Sequence, residues 1–138
     1  MRITIYPCLF LIFFIIGCEE PLSTNENNQI IFRTTGNSYF ITDSVKVFIK
    51  NNTLSDFEIA LRCGGYLEMY YQRKENNTWS NNLWFSWMSL LCFTAIDTIK
   101  KDNTFEFTIP PDEIDISGTY RLMLANDTLI VSNSFEVK

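Results

Sequence analysis

The spacing of apolar positions changes character twice along the chain. Ile3 to Ile16 is an almost unbroken apolar run of fourteen residues. At helical rise it reaches about 21 Å, short of the ~30 Å hydrocarbon core of a bilayer. The run therefore reads as the h-region of a secretory signal rather than a spanning helix. From Pro21 to Gln29 the chain is mostly Ser, Thr, Asn and Glu, with little to bury, which predicts a flexible linker. From Ile30 onward the apolar period becomes two.

Ile30-Ile31-Phe32 opens a first strand, and Tyr39-Phe40-Ile41 a short second one after the Gly36-Asn37 turn. Between Ser44 and Lys50, Val45, Val47 and Ile49 alternate with Lys46, Phe48 and Lys50, the mark of a half-buried strand. Asn51-Asn52-Thr53 makes the turn. Phe57, Ile59, Leu61 and Cys63 then alternate with Glu58, Ala60 and Arg62, and Gly64-Gly65 ends that run. Leu67, Met69 and Tyr71 continue on a further strand as far as Glu75-Asn76-Asn77. Later, Phe105, Phe107 and Ile109 alternate up to Pro110-Pro111, and Tyr120, Leu122 and Leu124 up to the Asn126-Asp127 turn. A last strand runs from Thr128 through Val137, with an irregularity at Ser132-Asn133-Ser134. No convincing helical repeat follows the linker. About seven short strands over residues 30–138 predict one all-β domain, an antiparallel β-sandwich.

Composition narrows the chemistry. The chain carries a formal charge of -5, and past Arg2 the remainder holds 10 basic against 16 acidic residues. The pairs Arg73-Lys74 and Lys100-Lys101 sit beside turns, so no basic patch for nucleic acid is expected. There is no histidine. Its absence removes the commonest general base, the usual zinc ligand and any Ser-His or Cys-His pair, so a non-catalytic role without a cofactor is expected.

Ile15-Ile16-Gly17-Cys18 resembles the lipobox of bacterial lipoproteins. That resemblance implies cleavage of residues 1–17 as a signal peptide and lipidation of Cys18. Residues 18–29 would then tether the domain, and two or three acyl chains give stable anchoring where one is marginal. Cys8 would leave with the leader. Glu19-Glu20 resemble the export signals of some Bacteroidetes surface lipoproteins, implying the cell envelope, with the outer membrane as the expected location. In the domain, Asp115-Ile116-Ser117-Gly118-Thr119-Tyr120 resembles the segment before the penultimate strand of immunoglobulin-like domains, where a Tyr hydroxyl caps the turn below it. The Cys-Trp-Cys arrangement of antibody domains is not followed. Val45 to Asn52, the Lys101-Asp102-Asn103 turn, Gly118 to Leu122 and Ser132 to Val137 are similar to small immunoglobulin-like lipoproteins of Bacteroidetes. Their order also resembles the intracellular proteinase-inhibitor type of sandwich.

Cys63 and Cys92 are the cysteines that remain, and in an exported domain they are expected to pair as a structural disulfide, with two buried thiols as the alternative. Between them lie all three tryptophans, Trp79, Trp84 and Trp87, with Asn76, Asn77, Asn81 and Asn82 nearby. They read either as a ligand-binding loop or as inward packing by Leu83, Phe85 and Trp87. Asp112, Glu113 and Asp115 share a loop of the kind that holds calcium, or form an ordinary acidic turn, and no metal site is assigned. Ser44, Thr98 and Thr128 sit in Asp-Ser/Thr-apolar triplets that resemble O-glycosylation sites of Bacteroidetes. Asn51, Asn76 and Asn126 fit the Asn-x-Thr rule, which carries little meaning in a bacterial context.

The sequence thus predicts a lipid-anchored binding or accessory module of the envelope, its partners the membrane through Cys18 and an envelope protein or glycan. The alternatives are a proteinase inhibitor, which needs a protruding extended loop, and a carbohydrate-binding module, which needs exposed tryptophans.

Overall fold

The structure is a computed structural model and describes residues 28–127 and 130–138. The leader, Cys18, Glu19-Glu20, the linker up to residue 27, and Thr128 lie outside the described residues.

Alternation of apolar side chains produces twelve strand segments here: β1 (Ile30–Thr34), β2 (Ser38–Tyr39), β3 (Val45–Asn51), β4 (Phe57–Arg62), β5 (Tyr66–Leu67) and β6 (Met69–Glu75). They continue with β7 (Thr78–Trp79), β8 (Leu83–Trp84), β9 (Thr94–Ile99), β10 (Thr104–Ile109), β11 (Gly118–Leu124) and β12 (Phe135–Val137). Seven of them, β1, β3, β4, β6, β9, β10 and β11, have five residues or more, and a short 3₁₀ turn covers Ser86–Ser89.

β1, β3 and β10 form one antiparallel sheet. The facing sheet runs β2-β12-β11-β6-β7, with β8 also on β6; its β2–β12 pair is parallel and the rest antiparallel. A smaller sheet, β5-β4-β9, continues from the first, because β3 leads into β4 and β9 into β10. The fold is an all-β antiparallel sandwich.

The core lies where the inward positions of these sheets meet. Phe32, Val45, Val47, Ile49 and Ile109 form one wall, and Met69, Tyr120, Leu122, Leu124, Phe135 and Val137 the other. Ile59, Leu61, Leu67 and Ile99 of the small sheet join the same cluster. Each such side chain contributes roughly 1.5–3 kcal/mol when removed from water.

The break between β3 and β4 is held by Asn51, which is fully buried. Its Nδ2 donates to Ser55 O at 2.9 Å and to Ile99 O at 2.8 Å, and its Oδ1 accepts from the Thr53 N–H and hydroxyl. Its backbone bonds Asn103 O and the Asp102 N–H. A buried amide is tolerated only with its bonding capacity filled, as here. The tyrosine corner is also present: the Tyr120 hydroxyl donates to Ile116 O at 2.6 Å.

Several boundaries differ from expectation. The second strand is Ser38–Tyr39, and Phe40 is exposed. Cys63 is not on the inward face of β4 but in the turn after it, in the left-handed region at φ 54°. Between Ile130 and Asn133 the last strand is reduced to one bridge, Val131 to Met123. β9 is a strand that the alternation did not announce.

Candidate binding surface

The three tryptophans separate. Trp87 is 3% exposed. It stacks on Phe85 at 4.4 Å, meets Phe107 edge-on, and its indole N–H donates to Leu67 O at 3.0 Å. It belongs to the core and offers no face to a ligand, which corrects its place among the ligand-binding candidates. The cause is the 3₁₀ turn Ser86–Ser89 that follows Phe85, which carries Trp87 and Met88 into the core.

Trp84 and Trp79 lie elsewhere. On β6 Met69 and Tyr71 point inward, and strand alternation puts Tyr70, Gln72 and Lys74 on the opposite face, with Tyr70 still partly packed against the core. Trp84 pairs with Tyr70 and Trp79 with Lys74, so both indoles share that outer face. Trp84 is 60% exposed and stands edge-on to Tyr70 at 4.8 Å. Trp79 is half-buried beneath the Arg121 guanidinium, 4.3 Å from the ring centroid. Arg121 Nε donates to Gln72 Oε1 at 2.7 Å, and Gln72 Nε2 to Asn82 Oδ1 at 2.8 Å. Both ends of the Gln72 amide are used, which fixes the row. The result is a strip in which one open indole stands beside an ordered line of amides and a cation. Tyr70, Gln72 and Arg121 were missed in the sequence, although the inward assignment of Met69 and Tyr71 places Tyr70 and Gln72 outside.

A second exposed feature borders the small sheet. Cys63 and Cys92 are joined by a disulfide with Cα atoms 5.3 Å apart. Next to it, Cys63 N–H donates to Phe93 O at 3.0 Å, so the bridge fastens the β4–β9 ladder where it ends. The bond lies within this small sheet and not across the sandwich core. Leu91 is fully exposed, Phe93 is 74% exposed, and Leu90 has extended backbone. Glu68 sits nearby, accepting from the Thr94 hydroxyl at 2.5 Å, with Arg62 Nε 3.0 Å from its Oε1. That Nε–H is not aimed at the carboxylate and stays without a hydrogen-bond partner.

In the acidic loop, Glu113 is turned back onto the protein. The Glu113 carboxylate accepts from the backbone N–H of Ser86 at 2.8 Å and from its hydroxyl, so it caps the 3₁₀ turn. No group of three or more potential metal ligands occurs among the described residues. Behind this loop, burial raises the Tyr71 phenol above its ordinary pKa, and the Asp115 and Glu113 charges raise it further. Burial also raises Tyr120, with Arg73 opposing. Ser44 and Thr98 are exposed. Asn51 is buried and cannot accept a glycan.

No protein family and no curated protein matches this chain. Among solved structures, a β-glucosidase from Erythrobacter marinus is similar at TM-score 0.47 and 8% identity, covering 80% of this chain and 15% of that one. A β-glucosidase from Listeria innocua in complex with glucose gives TM-score 0.42 and 10% identity, covering 79% and 16%. The chain spans less than a fifth of either enzyme. Likeness at this level carries no argument about activity.

Proposed function

We propose that this chain is a lipid-anchored, non-catalytic binding module of the bacterial cell envelope, held at the outer membrane through Cys18, and that it binds glycan on the outer face of the β12-β11-β6-β7 sheet. The observation that carries the binding reading is Trp84: a 60% exposed indole, propped edge-on by Tyr70, beside the fixed Arg121–Gln72–Asn82 row. Sugar rings present one apolar face and a rim of hydroxyls, which an aromatic platform flanked by amides complements. The lipobox-like Ile15-Ile16-Gly17-Cys18 supports the anchor. Titration of the chain with soluble envelope polysaccharides, followed by tryptophan fluorescence, tests the site. Trp84→Ala is expected to abolish the fluorescence response and weaken binding at least tenfold, while stability changes by no more than about 0.5 kcal/mol. Unchanged glycan affinity in Trp84→Ala removes this face from the account.

The Leu90–Phe93 segment favours a second reading, a proteinase inhibitor, because a fully exposed Leu91 sits at a tight turn, closed by the Cys92 N–H on Leu90 O, and is tethered by the adjacent disulfide. An inhibitor would lower the activity of a Leu-selective serine protease stoichiometrically and remain uncut. Rapid cleavage after Leu91 without inhibition rejects it.

A further inference from the structure

A groove of about 620 Å³ runs along the free side of β1, between that strand and the Val131–Asn133 segment. The hydrogen-bond parity of its walls can be read directly. The Thr35 N–H donates to Lys46 O and the Asn52 N–H to Gln29 O, so the odd-numbered residues of β1 bond to β3. Ile30, Phe32 and Thr34 then direct their N–H and C=O groups away from β3 and into the groove. Thr34 bears this out, because its N–H donates to Asn133 Oδ1 at 2.9 Å. On the opposite wall, Ser132 N–H bonds Leu122 O and Leu124 N–H bonds Ile130 O. Val131 between them therefore turns its own N–H and C=O outward, toward β1. Among the described residues, nothing bonds these groups of Ile30, Phe32 and Val131.

We propose that this groove is a strand-acceptor site, taking an extended segment of a partner polypeptide by backbone pairing along Ile30 and Phe32. The chemistry of the walls selects that occupant. Donors and acceptors alternating at strand spacing are met by another extended backbone and not by a compact ligand. Asn133 fills the Thr34 position and stops the groove at one end, leaving room for about four or five residues at ~3.3 Å each. Among the described residues, Arg33 is the one charged residue of the lining. The comparison with β9 sharpens the point. Thr98, which by the same parity faces outward on β9, has its N–H accepted by the Asp97 carboxylate at 2.7 Å. That outward donor is satisfied by its neighbour's side chain, one way an edge is made less open to pairing. The β1 edge is left open inside a groove. The site is separate from the Trp84 face and does not depend on it.

The test uses the full-length ¹⁵N-labelled chain in detergent micelles and a capped heptapeptide alternating Val and Thr with one terminal Asp. Addition of peptide should slow amide exchange at Ile30, Phe32 and Val131 at least tenfold. N-methylation of the peptide along its bonding edge should abolish the effect. Ile30→Pro removes one edge donor without touching the β3 ladder, at a strand start where proline is tolerated. It should weaken binding at least tenfold, while Trp84→Ala should leave it unchanged. Three results would overturn the proposal: no protection at 1 mM peptide, unaltered binding by Ile30→Pro, or protection already present without peptide. In the last case, loss of protection on dilution identifies a second copy as the occupant. Loss on replacing residues 19–27 with a Gly-Ser sequence of equal length identifies the chain's own linker.

Discussion

Two tryptophans three residues apart do opposite work. Trp87 fills the core and donates its indole N–H to Leu67 O, whereas Trp84 stands in solvent. Composition could not separate them; what parts them is the 3₁₀ turn Ser86–Ser89, which carries Trp87 inward after β8 has left Trp84 outside. Trp87→Ala is expected to destabilise the fold by about 3–5 kcal/mol in chemical denaturation, the range for truncating a buried indole. Tyr71 and Tyr120 add a pH dependence. Both phenols are held above their ordinary pKa, chiefly by burial. The unfolded chain releases those protons near pH 10, while the fold keeps them bound to higher pH. Their contribution to stability is therefore complete below about pH 10 and is lost as pH rises through the folded values. Melting temperatures recorded from pH 8 to 11.5 should fall above pH 10, and two of the five tyrosines that follow residue 17 should ionise late at 295 nm. Replacing Tyr71 and Tyr120 by Phe should flatten that alkaline fall.

At the scale of elements, legibility followed burial on one side. β3 and β10 alternate more and less buried residues, as β11 does up to Leu122, so their period was plain in the sequence. β9 was invisible because its apolar Ile96 is exposed, and Ala95 and Asp97 occupy the alternate positions leading to Ile99. Its place is set by the β4 ladder and the disulfide, which no local pattern encodes. The pairing of Cys63 with Cys92 was legible from their number; their setting in a turn was not, since a left-handed Cys63 leaves no signal in an alternating run. The bridge closes a sequence separation of 29 residues. Reduction should cost about 3–4 kcal/mol in the chain-entropy picture. The expected outcome is a lower urea midpoint in reductant that Cys63→Ala/Cys92→Ala reproduces without reductant. Exchange protection should be lost first in β9 and the Leu90–Phe93 segment, since their attachment depends most on the bridge.

For the whole molecule, sandwich class and core composition were written in the period-two pattern. The proposed glycan face was only half written, because Tyr70, Gln72, Asn82 and Arg121 come from different segments and meet only through register. The proposed anchor, glycan face and β1 groove together describe an exported tether with its surfaces held off the membrane by a polar linker. That account depends most on export and lipidation. The decisive measurement is the intact mass of the protein from its native membranes, with and without reduction and alkylation. The account predicts the mass of residues 18–138 plus acyl chains, with Cys63 and Cys92 alkylated only after reduction. A mass that retains residues 1–17, or thiols that alkylate without reductant, would contradict it.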